Sequence, residues 1–255
     1  MPQFFVLPDN IQGNSFRLTG PEAFHAVRVL RYAKGQSLSL FDGKGGRFKG
    51  VIETINTDGS VAGPITATVK AHDVRAPVRL HLNLGLLKAG HWDYALEKAT
   101  ELGVASFVPV LTPRTVVLLH EVDRVRSKQE RWSRLVMAAA KQSGRADLPL
   151  VREPVQFRDA IRACKGLTLM AWEGMKGSIA SETLRLALRE ADLKRGAESL
   201  DVYLFIGPEG GFSEEEVEMA EAADAVLFGL GPRVLRAETA ALAAVTLVLY
   251  EPGSL

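Results

Sequence analysis

From Ala197 to the end of the chain the only basic residues are Arg233 and Arg236, set against eleven acidic ones. Both fall in the run Gly229-Leu230-Gly231-Pro232-Arg233-Val234-Leu235-Arg236-Ala237-Glu238-Thr239, directly after the strand-like Val226-Leu227-Phe228. A guanidinium at such a place could stabilise negative charge as it develops on a substrate, and Glu238, two residues on, could fix it. An ordinary ion pair between Arg236 and nearby acids is the commoner fate of a lone arginine. Two more glycine-bearing runs follow strand-like segments in the same way. Trp172-Glu173-Gly174 follows Leu169-Met170-Ala171, and Gly207-Pro208-Glu209-Gly210-Gly211-Phe212 follows Leu204-Phe205-Ile206. In open parallel sheets, ligands bind beyond the carboxyl ends of strands, where these three runs would lie.

The glycine-rich run does not suit a phosphate. It lacks the Gly-x-Gly-x-x-Gly order of a dinucleotide turn and the Gly-Lys-Ser/Thr ending of a P-loop. Glu209 lies inside it, and Glu214, Glu215 and Glu216 crowd the helical turn that follows, opposing the positive end of the helix that a phosphate would use. A ligand without phosphates, carrying positive charge, fits better, and the glycines would let backbone groups approach a flat ring. Two tight turns ending strands are the plainer alternative.

Basic residues gather elsewhere. Between Leu111 and Arg152 there are nine, against four acidic ones, although the formal net charge of the chain is only +1. A chain polarised in this way can hold a polyanion on one surface; solvated helix faces of opposite sign fit the same counts. On a helix expected over Arg124–Ser143, Trp132, Leu135, Val136 and Ala139 form the apolar face. Arg131, Arg134, Lys141 and, just past its end, Arg145 are then candidates for RNA phosphate contacts, with Arg114 upstream. Trp92 and Trp132 read as core residues rather than base-stacking platforms. A second expected helix, Pro21–Leu30, carries Phe24, Val27 and Leu30 on its apolar face. Its other face presents His25 and Arg28, with Arg31 just beyond, and the two arginines complete the RNA candidates.

The elements that must position these residues change character along the chain. The first seventy-odd residues have strand composition at Gln3–Leu7, Ser37–Phe41, Arg47–Ile55 and Thr66–Lys70, broken by Asp42-Gly43, Asp58-Gly59 and Gly63-Pro64. They suggest a small β-barrel with one helix, ending at the charged stretch His72-Asp73-Val74-Arg75-Ala76-Pro77. Beyond Pro77, strands at Val78–Leu84, Val104–Val110, Leu167–Trp172, Val202–Ile206 and Ala225–Phe228 are expected. They alternate with helices at His91–Leu102, Arg124–Ser143, Ile179–Glu190, Glu214–Ala223 and Glu238–Tyr250, the pattern of an α/β fold with a parallel sheet between helices. Gly103 and Gly144 are placed to stop helices, and Ser213 with Glu216 has the capping-box spacing. The last helix is apolar almost all round, so burial against the sheet or a partner subunit is expected.

Composition narrows the class. Of 255 residues 47% are hydrophobic and 24% charged, which argues against disorder or a fibrous repeat. One cysteine, Cys164, excludes an internal disulfide and suits a reducing compartment. Five scattered histidines show no metal-ligand spacing, so no metal site is expected. The longest apolar run, Ala240–Tyr250, is well short of the ~20 residues of a membrane helix, and no charged-then-apolar leader opens the chain. A soluble, cytoplasmic protein without membrane association is expected.

Several stretches resemble the RsmE family of 16S ribosomal RNA uracil-N3 methyltransferases, within the SPOUT superfamily of knotted S-adenosylmethionine enzymes. They are His25-Ala26-Val27-Arg28-Val29-Leu30-Arg31, Phe41-Asp42-Gly43-Lys44-Gly45, Lys98-Ala99-Thr100-Glu101-Leu102-Gly103, Gln142-Ser143-Gly144-Arg145, Ile206–Gly211 and Leu230–Ala240, in the family's order. The chain departs from the family at Gln3, where arginine is favoured before Phe-Phe-Val. The resemblance implies a PUA-like RNA-binding β-barrel over 1–73 and a SPOUT methyltransferase domain over 74–255, with a trefoil knot in its last third. It further implies a homodimer with the last helix at the interface, and 16S rRNA, in the small ribosomal subunit, as substrate. S-adenosylmethionine would sit among Trp172, Glu173, Gly207, Pro208, Glu209, Gly210, Gly211, Leu230, Gly231, Leu235, Arg236, Glu238 and Thr239. Arg236 would stabilise charge on the uracil carbonyls as N3–H is lost, and Glu209 is the candidate base, with water as the alternative. The target uridine must be unstacked to reach such a pocket. Two other classes are an RNA-binding module on the same fold without catalysis, and a nicotinamide-dependent enzyme, which the missing dinucleotide turn disfavours.

Overall fold

The structure, a computed structural model, describes residues 2–69, 78–115, 122–175, 179–195 and 199–251. The boundary expected at 72–77 and His120 lie outside the described residues. The chain groups into two compact units, Met1–Val74 with Met137–Leu148, and Arg75–Val136 with Pro149–Leu255. Residues 137–148, which the sequence assigns to the second domain, thus group with the first unit.

In the first unit, β1 (Gln3–Phe5), β2 (Ile11–Gln12), β3 (Ser15–Leu18) and α1 (Gly20–Phe24) precede β4 (Ser37–Phe41), β5 (Arg47–Val51), β6 (Thr54–Ile55) and β7 (Val61–Val69). The strand order is β1-β4-β5-β7-β3-β2, with β6 also on β7. Only β1 and β4 run parallel. Alternation decides which side chains face inward: along β3 Phe16 and Leu18 are buried while Ser15 and Arg17 are exposed. They join Phe4, Val6, Leu38, Leu40, Ile52 and Val61 in one core. Gly63 is required where β7 passes beneath β5's end, since a Cβ there would fall 1.9 Å from the Val51 carbonyl oxygen.

The helix expected over Pro21–Leu30 is α-helical only to Phe24. His25–Val29 form a π turn, with Leu30 N–H donating to His25 O at 3.0 Å. The wider turn rotates the following residues. Ala23 and Ala26 are buried and Val27 packs on the core, while Phe24 is 62% exposed and Leu30 is exposed too. Phe24 and Leu30 therefore do not form the expected apolar face. Gln3 closes a helix end. Its Nε2 donates to Ala140 O at 3.2 Å, a last-turn carbonyl that needs a partner from outside the helix, and to Arg145 O at 2.9 Å, two residues past the helix end.

The second unit begins with β8 (Val78–Gly85), α2 (Ala89–Leu102), β9 (Ser106–Leu111), α3 (Val122–Ser143), β10 (Leu150–Val151), β11 (Val155–Gln156) and α4 (Phe157–Arg162). It continues through β12 (Leu167–Ala171), α5 (Ile179–Arg195), β13 (Leu200–Ile206), α6 (Glu214–Glu221), β14 (Val226–Phe228) and α7 (Ala237–Tyr250). The last seven residues of α3 group with the first unit. All strands run parallel in the order β10-β9-β8-β13-β12-β14, with β11 also on β9. The α/β fold with a parallel sheet is as expected; β10, β11 and α4 are too short to register in the sequence pattern.

Both faces of the sheet are covered, which is why its strands are near-continuously apolar. Leu80, Leu82, Leu84, Val202 and Leu204 pack with Trp92, Leu96, Trp132, Val245 and Val248. On the other face Phe205 and Met170 meet Phe157, Ile161, Phe212 and Val217. Trp92 and Trp132 are core residues, their ring centroids 5.2 Å apart. The stops hold as well: Gly103 has φ 109° and Gly144 φ 76°. Ser213 Oγ accepts from Glu216 N–H at 3.3 Å, and Glu216 Oε2 accepts from Ser213 N–H at 2.9 Å, the reciprocal cap of α6. Burial pushes the Glu216 carboxyl above its ordinary range.

Candidate active site

Five strands, β8, β9, β12, β13 and β14, end at one edge of the parallel sheet, and the segments after them converge. The Gly207–Phe212 loop folds tightly on itself. Gly211 N–H donates to Pro208 O at 2.9 Å, Gly211 takes φ 68°, and a Cβ on Gly207 would meet the Gly211 backbone at 3.0 Å. The loop crosses the end of β8 so closely that a Cβ on Gly85 would fall 2.3 Å from Pro208 N. Arg114, in the turn after β9, donates from Nη1 to Gly210 O and Phe212 O, both at 3.0 Å. From the segment after β8, Lys88 N–H donates to Glu209 Oε1 at 3.1 Å. The loop after β12 is tied to β14 by Trp172 N–H on Phe228 O at 2.9 Å.

The segments after β8, β12, β13 and β14 enclose a cleft of about 450 Å³. Trp172, Glu173, Gly207, Pro208, Glu209, Gly211, Leu230, Gly231, Leu235, Arg236 and Glu238, all singled out in the sequence, line it; Gly210 and Thr239 do not. Lys88, His91, Met175, Ile206, Phe212, Arg233 and Val234 also line it. Nothing in the sequence pointed to Lys88 and His91, because the segment after β8 carries no glycine-rich signature.

Polar pairings correct one expectation, that Glu238 fixes Arg236, and add a contact to a second residue, Glu209. Glu238, whose side chain is 11% exposed, does not fix Arg236: its Oε1 lies 3.0 Å from His91 Nδ1. Arg236 is exposed at the start of α7 and forms no ion pair among the described residues. Glu209 accepts the Lys88 N–H through Oε1 and so fastens the loop.

The RNA candidates divide. Arg28, Arg31 and Arg134 are exposed. Arg131 is paired with Asp93, Lys141 with Glu22 at 2.8 Å, and Arg145, only 11% exposed, with Asp147 at 2.5 Å. Arg114 serves the glycine-rich loop. For these four, a neighbouring acid or carbonyl already takes the charge that the spacing had offered to phosphate. No group of His, Cys, Asp and Glu among the described residues could hold a metal, and no described helix is long and apolar enough to cross a membrane.

A cleft built from backbone turns at the carboxyl edge of a parallel sheet is the layout of an enzyme that binds a small molecule, and exposed arginines on a separate β-rich unit suit a polyanion. Residues 74–249 match the model of an RNA methyltransferase domain, and residues 18–63 that of an RNA methyltransferase PUA domain. Ribosomal RNA small subunit methyltransferase E of Bacillus subtilis is 30% identical over 93% of this chain and 90% of its own. The structure of a Legionella pneumophila methyltransferase, in complex with the bound cofactor SAM, superposes with a TM-score of 0.80 at 28% identity over 96% of each chain. That of the Neisseria gonorrhoeae ribosomal RNA small subunit methyltransferase E, bound to S-adenosyl methionine, gives 0.77 at 27% identity over 96% and 95%. The chain belongs to the ribosomal RNA small subunit methyltransferase E family.

Proposed function

We propose that this chain uses S-adenosylmethionine to methylate N3 of one uridine in the 16S rRNA of the small ribosomal subunit, in the cytoplasm. One observation carries the reading: Arg236, exposed and with no ion partner among the described residues, stands at the start of α7 on a cleft that Lys88, His91 and Arg233 also line, among three carboxylates, apolar surface and backbone turns. The cofactor fits those residues. The cleft has the volume of a small-molecule site, Ile206, Leu230 and Leu235 suit an adenine ring, and Glu173 and Glu209 suit a cation. No glycine-rich phosphate cradle is needed, because the molecule carries no phosphate. When bound, it supplies a methyl group activated by its positive sulfonium.

The chain's own contribution is chiefly positioning and electrostatics. The loops after β12, β13 and β14 hold the donor, and Arg114 and Glu209 hold the central loop in shape. Uracil N3–H is a weakly acidic imide, so charge spreads onto the flanking carbonyl oxygens as the proton leaves. Arg236 stabilises that charge, and alignment of N3 with the methyl group supplies much of the remainder. Exposed Arg28, Arg31 and Arg134 are the phosphate contacts best supported. The same reading makes 1–73 a PUA-like RNA-binding barrel and 74–255 a SPOUT domain with a trefoil knot. The insertion of β13 between β8 and β12 is in keeping with such threading. It also makes the enzyme a homodimer through α7, where Leu247 and Tyr250 are exposed.

Small ribosomal subunits lacking the modification, incubated with enzyme and labelled cofactor, should acquire label in 3-methyluridine, identified by nucleoside mass spectrometry. Absence of label in uridine would favour an RNA-binding module without catalysis. Arg236→Ala should cut turnover on the order of 10²–10³-fold while calorimetric cofactor affinity changes little. Collapse of affinity with turnover intact at saturation would refute the role of Arg236.

A further inference from the structure

We propose that His91, oriented by Glu238, accepts the N3 proton during methyl transfer. The inference rests on the uracil-N3 reading above and supplies the base that reading lacks.

Glu238 stands in the first turn of α7, two residues after Arg236, and its carboxylate is nearly buried. A carboxylate in that position requires a partner, and the partner is the imidazole of His91, from the first turn of α2, at 3.0 Å through Nδ1. Both residues line the cleft, and the His91 side chain is 43% exposed. With Nδ1–H donated to the carboxylate, the lone pair resides on Nε2, the tautomer a base needs; a carboxylate behind an imidazole also stabilises the imidazolium that forms. The other ionisable groups lining the cleft are poorer candidates. Glu209 is engaged by the Lys88 N–H, Glu173 is an exposed carboxylate, and Lys88, Arg233 and Arg236 are cations.

The step balances. The N3–H bond breaks, its electron pair stays on N3 and forms the bond to the methyl carbon, and the carbon–sulfur bond breaks with its pair on sulfur. The proton passes to His91 Nε2, forms an imidazolium–carboxylate pair with Glu238, and leaves to solvent.

The test compares wild type, His91→Gln and Glu238→Gln in single-turnover methylation of unmodified subunits across pH, with nucleoside mass spectrometry of the product. Wild-type rate should rise with pH to a plateau, the break of a base that must be unprotonated to act. His91→Gln should lose that break and fall about 10²–10⁴-fold at neutral pH, with calorimetric cofactor affinity kept. Nitrogen NMR of the cofactor-free protein gives a readout independent of turnover: His91 should hold its proton on Nδ1, and Glu238→Gln should abolish that preference. An unchanged acidic limb in His91→Gln, or a wild-type His91 protonated on Nε2, would overturn the inference while leaving uridine methylation standing. A methyl group elsewhere than uridine N3 would overturn both.

Discussion

Arg145 and Arg236 are the same side chain at two ends of the basic repertoire, and only their surroundings separate them. Arg145 is nearly covered and spends its charge on Asp147, whereas Arg236 is exposed on the cleft. Pairing of this kind also decides His91, one of five histidines without any spacing signal. Cys164 shows the same dependence on environment. Burial pushes its thiol up to about 11, and its Sγ donates toward Ala160 O at 3.4 Å. A raised pKa keeps the sulfur neutral and unreactive at physiological pH. At pH 8 iodoacetamide should modify native Cys164 on the order of 10² times more slowly than the urea-unfolded chain, as followed by intact-mass spectrometry. Equal rates would contradict the burial.

At the scale of elements, the long helices and the parallel strands were legible because their apolar residues repeat at 3.6 and in short continuous runs. The Gly103, Gly144 and Ser213 signals mark helix ends because they act through neighbours two to four residues away. The π turn at His25–Val29 was not legible, since it accompanies packing of Ala26 and Val27 on the first unit's core, and those contacts come from residues distant in the chain. Gly85 belongs to this scale too. It ends β8 without any local sign of function, yet the glycine-rich loop passes across its Cα. Gly85→Ala should push Pro208 outward and destabilise the protein by about 1–3 kcal/mol, the usual range for overpacking. Cofactor affinity should fall with it. A variant with wild-type melting temperature and wild-type affinity would show that the loop yields freely.

For the whole molecule, the near-neutral charge conceals a division of labour between an acidic C-terminal third and basic stretches upstream. Exposed cations bind a polyanion by releasing its counterions, whereas paired ones do so less. Replacing Arg28 and Arg31 by Ala should weaken RNA binding and lower the slope of log affinity against log salt by about 0.7–0.9 for each phosphate left without its cation. Arg145→Ala should instead act mainly on thermal stability, because it removes a nearly covered guanidinium already paired with Asp147. An unchanged slope in the Arg28 and Arg31 variants would remove them from the RNA surface.

Local patterning already carried the α/β class, the order of the long elements, and three of the four strand-end segments that line the cleft. Those features are encoded in patterns a few residues long, read by backbone geometry and burial. Packing settled the rest: which cations are exposed, that Glu238 faces His91 rather than Arg236, that Lys88 lines the cleft, and that Arg114 and Gly85 meet its glycine-rich loop. Each of those facts depends on residues distant in the chain meeting at a separation of a few ångströms, and such meetings have no local period or spacing to announce them.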